Sequence, residues 1–427
     1  MSTLAHRLPP ARLAIWSAYG LLLIVAPMIW TSSLAHTMLS QMGIAIIVCL
    51  SYNMLLGQGG MLSFGHAVYS GMGSFLAIHT LNLISGGHFP MPVSLLPIVG
   101  GVASVMFALL FGWVTTKKSS TTFAMITLGV GELVWAMSLM FPEFFGGEGG
   151  ISGDRVAGAS PFGITYGPQV QLYYLIAAYT FVCTILMFMF TRTPLGRMLN
   201  AVRDNPERVE FVGYNTQVVR YMAFVIAAFF AGVSGGLSAL NFEIVTSEVV
   251  SAHRSGAYLL FTFLGGATFF FGPIIGGVLM VMAFVLLSEF TKAWLLYLGL
   301  AFLLMVVYAP GGVASLIMMN VRVAAHGLLK RLLGGYALMA VFGLIGLFGF
   351  GAMIEMIYHL QLNAALGDEL GFLGTTLHVR SVASWGEAVG MAVVGSALFE
   401  WARRRFTRQW HEVQVVIEER IRAKEMA

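Results

Sequence analysis

Apolar residues occur along this chain in long uncharged runs. A helix needs roughly 20 mostly apolar residues to cross the hydrocarbon core of a bilayer. Runs of that order cover 13–30, 38–56, 67–84, 92–116, 169–191, 221–242, 293–310 and 332–354. The run 119–141 is similar but contains Glu132. The pattern predicts an all-α protein that crosses a membrane many times.

Two further apolar stretches are less regular. The stretch 255–288 is uncharged but is interrupted by Gly272-Pro273, and it therefore predicts two shorter segments. The last apolar run, 388–399, is short. Together the runs predict about ten core helices, some of them half-length, and about two more spans near the C-terminus.

Composition supports a membrane environment. Of the 427 residues, 58% are hydrophobic and 10% are charged, whereas soluble domains carry about 25% charged residues. The 50 glycines and 26 methionines fit a helix bundle in lipid, because small residues let membrane helices approach closely. Cys49 and Cys183 each lie inside an apolar run, so they are better explained as packing residues than as a disulfide or a metal pair.

The basic residues predict the orientation of the spans. Lys and Arg stay on the cytoplasmic side of membrane proteins. With the N-terminus inside, counting the spans places both termini in the cytoplasm and leaves all but four of the 23 basic residues on the inner side. The four outer ones are Arg155, Arg254, Lys292 and Arg380. The net charge of +4 then reflects topology, and it does not indicate a nucleic-acid partner.

The first run could also be the apolar part of a signal peptide, with Arg7 and Arg12 as its basic region. It is longer than the 7–15 residues usual for such a segment, so we expect an uncleaved first span.

Motifs of enzymes are nearly absent. The segment from Gly112 to Ser119 resembles a phosphate-binding loop, but Lys117 stands where that loop needs its second glycine. No histidine pair has metal-binding helix spacing. We therefore expect no catalytic residue, no metal site, no cofactor and no ATP site on this chain.

Four stretches of the chain stand out instead. They are GQGGMLSFGHA at 57–67, GVGEL at 129–133, the polar segment 193–213, which overlaps GRMLNAVRDNPERVEFVGYN at 196–215, and the glycine-rich 264–277; GGEGGISG at 146–153 accompanies them. Together they resemble the permease family of the branched-chain amino-acid type of ABC importer. The resemblance covers about residues 10–320, and it is closest to the longer of the two permeases that such importers pair.

The resemblance implies a function and a set of partners. It implies a multi-pass permease of the bacterial inner membrane that pairs with a sister permease, two cytoplasmic ATPase subunits and a periplasmic solute-binding protein. Members of the family move branched-chain amino acids, and others move urea, amides or aromatic acids. An ion-coupled secondary transporter and a membrane-embedded enzyme are the alternatives from other classes.

The polar segment 193–213 can be interpreted from its own residues as well. Residues 195–205 contain no proline and can form a short helix, and Pro206 can begin a new turn. In the family the matching segment is the coupling helix, which docks on an ATPase. The resemblance assigns this role to Gly196, Asn200, Ala201, Val202, Arg203, Asp204, Asn205 and Gly213. A solvated loop whose arginines only set the topology is the alternative.

The candidate translocation path consists of Gly59, Gly60, Ser63, His66 and Glu132. The glycines can instead be packing residues, and His66 can cap a helix end. Because an ionisable residue inside a span is costly and usually functional, Glu132 is a structural anchor, a path-lining group or a proton relay. The outer loop 142–168 is either a docking surface for the binding protein or a connector.

The chain continues beyond the family pattern. We divide it into a permease core at 1–320, an extension with about two spans at 321–400, and a charged, helical cytoplasmic tail at 401–427.

Overall fold

The computed structural model describes residues 10–118, 120–156, 164–362 and 367–426. It is 81% helical, which confirms the all-α class. The helices of the first half are α1 Pro10–Ile29, α2 Ser33–Gly59, α3 His66–Ser85, α4 Leu96–Thr115, α5 Ser120–Met140, α6 Pro142–Phe145, α7 Gln169–Arg192, α8 Pro194–Asp204 and α9 Pro206–Phe211. Those of the second half are α10 Thr216–Phe242, α11 Ala252–Gly265, α12 Gly272–Val281, α13 Ser288–Phe290, α14 Trp294–Tyr308, α15 Gly312–Ala325, α16 Leu329–Leu362 and α17 Val382–Met426. A π-helical turn, Met282–Leu287, joins α12 to α13.

Within the described residues, nine helices are long and apolar enough to cross a bilayer, and the bent pair α14–α15 adds a tenth. In α1 the apolar segment is Leu13–Ile29, which is shorter than these spans. The stretch 255–288 forms two main segments as predicted, with α11 ending at Gly265 and α12 beginning at Gly272. Large apolar side chains on the outside of these helices are exposed, among them Leu22, Met106 and Leu110, as expected for surfaces that face lipid.

The chain divides into two compact units. The first comprises the residues up to Leu286 together with Phe302–Ser315. Its core is a packed cluster from α2, α3, α4, α7 and α10. Small residues allow these helices to touch: a Cβ on Gly73 would lie 2.7 Å from the Gly232 Cα, and Ser104 Oγ donates a hydrogen bond to the Tyr69 carbonyl at 2.5 Å. Such contacts are typical of helix packing in membranes.

The second unit comprises Leu287–Ala301 and Leu316–Ala427. Its two long helices, α16 and α17, pack against each other along their length; a Cβ on Gly349 would lie 2.7 Å from the Ala388 carbonyl oxygen. One apolar cluster joins Val323, Leu328 and Leu332 to Val413 and Ile417 of α17.

Two features of the second unit differ from the sequence predictions. We expected a short span near 388–399 and a charged, helical tail at 401–427, and in the structure α17 runs through both as one helix of 45 residues. At 1.5 Å per residue it is about 66 Å long, more than twice the thickness of a hydrocarbon core. The arginines at 403–405 lie inside this helix. They do not interrupt its backbone, since no glycine or proline follows Gly395.

The expected loop between the last two spans contains an antiparallel hairpin, β3 Glu369–Phe372 and β4 Thr375–His378. Leu373 and Gly374 have φ values of 47° and 85°, as the favoured two-residue hairpin turn requires. A second short ladder in the first unit pairs β1 Ile151–Ser152 with β2 Ile244–Val245.

Candidate functional site

The polar segment 193–213 folds into two short helices with defined ends. Thr193 caps α8, because its hydroxyl oxygen accepts a hydrogen bond from the Gly196 backbone N–H at 3.2 Å. Asn205 is extended and caps α9 in the same way, through Arg208 N–H at 3.0 Å. Proline occupies the first turn of each helix, where its missing N–H costs nothing. The predicted short helix and the new turn at Pro206 are therefore confirmed.

The two faces of α8 differ in character. Gly196, Leu199 and Val202 are buried against the bundle. Ala201 and Asp204 are exposed, on the face that points away from it. Helix α8 is thus amphipathic: its apolar side lies on the core, and its opposite side is exposed.

Helix α8 is attached to the end of α2. Arg203 donates a hydrogen bond to the carbonyl oxygen of Gly57, and the Asn200 side-chain amide donates to Gln58 Oε1 at 2.9 Å. Gly60 ends α2 in the left-handed region, with φ 64°, and a Cβ there would lie 2.8 Å from the Arg203 Cγ. Glycine is therefore required twice at Gly60, for its backbone conformation and for the space it leaves to Arg203.

A concave surface lies between α8 and α9. Its volume is about 390 Å³, and it is lined by Met198, Ala201, Asp204, Asn205, Arg208, Val209, Val212 and Tyr214. Beside it, Phe211 is 89% exposed and Val212 is 74% exposed. An apolar groove with a protruding aromatic ring, set in an otherwise charged segment, has the character of a protein-binding surface.

The break between α2 and α3 is closed by buried polar contacts. The Tyr52 hydroxyl donates to the Ser63 carbonyl at 2.7 Å and accepts from the Ser63 N–H at 3.1 Å. Ser51 donates its proton to the Ala227 carbonyl at 2.7 Å, so His66 Nε2 must donate to Ser51 Oγ, 2.9 Å away. The Ser63 hydroxyl and His66 Nδ1 have no partner among the described residues.

The five candidate path residues fall in three places. Gly59 and Gly60 lie beside α8, with the Leu199 side chain close to Gly59. Ser63 and His66 are fully buried at the α2–α3 break. Glu132 is exposed on α5, and its neighbour Gly131 lies close to Gly65. The structure does not bring the five to one cavity, and their role in the path stays a prediction.

A separate cavity of about 230 Å³ lies inside the first unit. Its polar lining consists of Gln41, Ser70, Ser74, Ser234, Ser238, Arg254 and Tyr258, and its apolar lining comes mainly from α2 and the segment 280–285. We expected Arg254 in an outer loop. It instead lies in the first turn of α11. The chain passes from β2, whose partner strand β1 contacts Asn82 near the end of α3, to Ser255, which contacts Ala67 near the beginning of α3. The sequence signal that could have indicated this cavity is a pair of serines four residues apart on each of two helices, Ser70 and Ser74 on α3 and Ser234 and Ser238 on α10.

The outer loop is tied to the bundle by Arg155. Its guanidinium donates hydrogen bonds to the carbonyls of Tyr166 at 2.9 Å and Gly167 at 3.1 Å, and it forms an ion pair with Glu243 at 3.7 Å. Its backbone N–H donates to Glu243 Oε1 at 2.9 Å. The described parts of this loop therefore have fixed positions against the end of α10.

No group of three or more His, Cys, Asp or Glu side chains that could hold a metal occurs among the residues that the structure describes.

Comparison with known proteins places the chain in a family. The family model described as the permease component of branched-chain amino acid transport systems matches residues 34–309. The high-affinity branched-chain amino acid transport system permease protein LivM of Escherichia coli K12 is 28% identical over 290 residues, covering 63% of this chain and 67% of that protein. No solved structure matches significantly.

More distant relatives belong to related systems. The permease protein LivH of Salmonella typhimurium is 22% identical over 264 residues, covering 57% of this chain and 82% of that protein. The galactose/methyl galactoside import permease protein MglC of E. coli K12 is 24% identical over 270 residues, covering 61% of this chain and 78% of that protein. With its many apolar helices, the chain is a multi-pass membrane permease and belongs to the family of permease components of branched-chain amino acid transport systems.

Proposed function

We propose that this chain is the transmembrane permease subunit of an ATP-driven importer of the inner membrane. It moves branched-chain or other hydrophobic amino acids from a periplasmic binding protein into the cytoplasm. Two ATPase subunits on the cytoplasmic side hydrolyse the ATP, and a sister permease completes the pore. The chain itself is not an enzyme.

The observation that supports this proposal most strongly is the attachment of α8 to α2. The exposed groove between α8 and α9 offers a docking surface to a cytoplasmic protein. The bonds from Arg203 to Gly57 and from Asn200 to Gln58 connect that surface to a helix whose side chains from Ala45 to Leu55 are buried in the core. A movement of the docked ATPase can therefore be passed to the centre of the bundle.

The comparisons support the choice of substrate and of sister subunit. Identity to the branched-chain amino acid permease LivM is 28%, compared with 24% to the galactoside permease MglC. Both LivM and LivH, which are named as permeases of the same kind of transport system, resemble this chain. A second, homologous permease is accordingly the partner that we propose. We further propose that residues 1–320 form the permease core and that 321–400 and 401–427 are additions to it.

Co-purification of the native complex tests the proposal. The tagged chain, expressed from its own locus and extracted in mild detergent, is expected to bring down two copies of an ATPase subunit and one sister permease. Reconstituted with the binding protein, the complex is expected to take up leucine only when ATP is present. A chain that purifies without an ATPase, or uptake that follows an ion gradient in the absence of ATP, would contradict the proposal.

A further inference from the structure

We propose that the cavity lined by Arg254 is a solute-binding site within the permease itself, and that Arg254 binds the carboxylate of an α-amino acid with an apolar side chain. The inference rests on the importer function proposed above. It adds a specific site on this chain and excludes neutral solutes such as urea and amides from that site.

The position of Arg254 in the bundle is deep. Its sequence neighbours contact the first turns of α3: Ser255 Oγ accepts a hydrogen bond from Ala67 N–H at 3.0 Å, and the Val250 side chain lies against Gly71. From Gly71, α3 continues for 14 residues to Ser85, which is about 21 Å at 1.5 Å per residue. Arg254 therefore lies far below the outer end of α3, at the level of mid-helix residues of α2 such as Ala45 and Val48, which line the same cavity.

The guanidinium of Arg254 has no ion-pair partner among the described residues, whose ion pairs involve other arginines. No Asp or Glu from the described parts of the chain lines the cavity. Arginines within membrane helix bundles are rare, and they mark solute pathways or pair with a counter-charge. Because this arginine has no such counter-charge among the residues that the structure describes, an anionic group of a solute is the partner that fits. A carboxylate accepts two parallel hydrogen bonds from a guanidinium.

The serine hydroxyls complement the other charge of an amino acid. Ser74 donates its proton to the carbonyls of Ser70 and Gly235, at 3.1 and 2.9 Å, and Ser234 donates to Ala231 at 2.8 Å. Ser70 donates to Ala67 at 3.2 Å. A hydroxyl whose proton is used in this way still has lone pairs with which to accept. These serine oxygens can therefore accept hydrogen bonds from an ammonium group.

The rest of the cavity suits an apolar side chain. Its remaining wall comes mainly from Ile44, Val48, Met280, Val281 and Phe284. A volume of about 230 Å³ has room for one small solute, since a water molecule takes roughly 30 Å³. An apolar wall with a few convergent polar groups is the usual composition of a ligand site.

Binding of two matched probes to the purified full-length chain in lipid nanodiscs tests the inference. The probes are radiolabelled L-leucine and L-leucinamide, which differ in the carboxylate. The unmodified chain is expected to bind leucine at least tenfold more tightly than leucinamide. Arg254→Gln is expected to weaken leucine binding at least tenfold and to leave leucinamide binding unchanged. Arg380→Gln removes an exposed arginine outside the cavity and serves as the matched control, with unchanged binding of both probes.

Three results would overturn the inference: equal binding of the two probes by the unmodified chain, no binding of either, or leucine binding by Arg254→Gln within twofold of the unmodified chain. The comparison of the two probes on the unmodified chain needs no variant, so it still tests whether the cavity binds a carboxylate if Arg254→Gln fails to fold. Because binding to the chain needs neither ATP nor an ATPase, failure of the ATP-driven function would appear in the co-purification experiment and leave this one informative.

Discussion

Arg203 of α8 donates a hydrogen bond to the carbonyl oxygen of Gly57, in the last turn of α2. The last carbonyls of a helix have no hydrogen-bond donor within it. A cationic side chain there donates a hydrogen bond to such a carbonyl and also interacts favourably with the negative end of the helix dipole. Arg203 also forms an ion pair with Asp204 at 2.9 Å. One side chain therefore links the exposed face of α8 to a buried helix of the core.

Reversing the charge at Arg203 is expected to uncouple transport. In Arg203→Glu, a carboxylate would face the Gly57 carbonyl and Asp204, so the link to α2 is lost while the apolar face of α8 stays seated. We expect ATP-dependent leucine uptake by the reconstituted complex to fall at least tenfold, with the amount of permease in the membrane unchanged. Asp204→Arg is expected to act in the same direction.

The matched control for Arg203→Glu is Arg331→Glu. Arg331 is an exposed arginine at the start of α16, in the second unit, and the charge change is identical. Its uptake should equal that of the unmodified chain. Normal uptake by Arg203→Glu, with ATPase subunits bound, would show that the segment only sets the topology.

Gly235 of α10 is expected to tolerate no side chain. A Cβ there would collide with the backbone carbonyl oxygen of Ser70 on α3, and backbone cannot move aside as the end of a flexible side chain can. Gly235→Ala should therefore force α3 and α10 apart and cost about 1–3 kcal/mol. We expect a lower midpoint of thermal unfolding in detergent. The midpoint is measured as the loss of the folded peak in size-exclusion chromatography after heating.

Gly129→Ala is the matched comparison for Gly235→Ala. Gly129 also lies in a membrane helix, α5, but a Cβ there would have no atom of the described residues within 4 Å. Its thermal midpoint should be unchanged or slightly higher, because alanine favours helix over glycine. Equal midpoints for the two variants would mean that the contact between α3 and α10 is not tight.

The features that sequence predicts well are those decided locally. The apolar runs determine where the long helices lie. In the segment 193–213, the start of α8 is defined by Thr193 and Pro194, and the start of α9 by Asn205 and Pro206. Each acts through its own backbone or through residues at most three positions away.

The features that depended on distant contacts could not be predicted. The placement of Arg254 follows from the return of the chain after β2 towards the beginning of α3, and that path is held by contacts such as Ser255 with Ala67, 188 positions apart. The bond from Tyr173 to the Leu23 carbonyl, 150 positions apart, is of the same kind. In the hairpin turn, Gly374 is a local signal because glycine readily adopts the positive φ that it has there. Leu373 gives no such signal, because leucine is uncommon at positive φ.

Arg155 is expected to be irreplaceable even by lysine. Its guanidinium donates to carbonyls of Tyr166, Gly167, Leu240 and Asn241, and a lysine ammonium is a point charge that cannot reach this set. Arg155→Lys would leave part-buried acceptors unpaired, at about 1–3 kcal/mol. We expect a lower thermal midpoint and faster cleavage of the loop 142–168 by a protease added from the outside.

Arg380→Lys is the control for Arg155→Lys, because among the described residues the side chain of Arg380 forms only an exposed ion pair, with Asp368 at 3.2 Å. Exposed pairs contribute about 0–1 kcal/mol, so its midpoint should stay close to that of the unmodified chain. If Arg155→Lys behaved like Arg380→Lys, the network around Arg155 would not stabilise the loop.

The end of α17 is expected to be fixed by Ile417. This side chain is fully buried, in a cluster with Leu328 and Leu332, whereas Val415, two residues earlier, is 41% exposed. Ile417→Ala removes buried methyl groups and should loosen the end of α17 by about 2 kcal/mol, the lower bound for such a change in a larger core. Val415→Ala should change little. In inside-out vesicles, we therefore expect trypsin to remove the tail of Ile417→Ala at least several times faster than that of Val415→Ala. Equal rates would indicate that the tail does not pack against the start of α16.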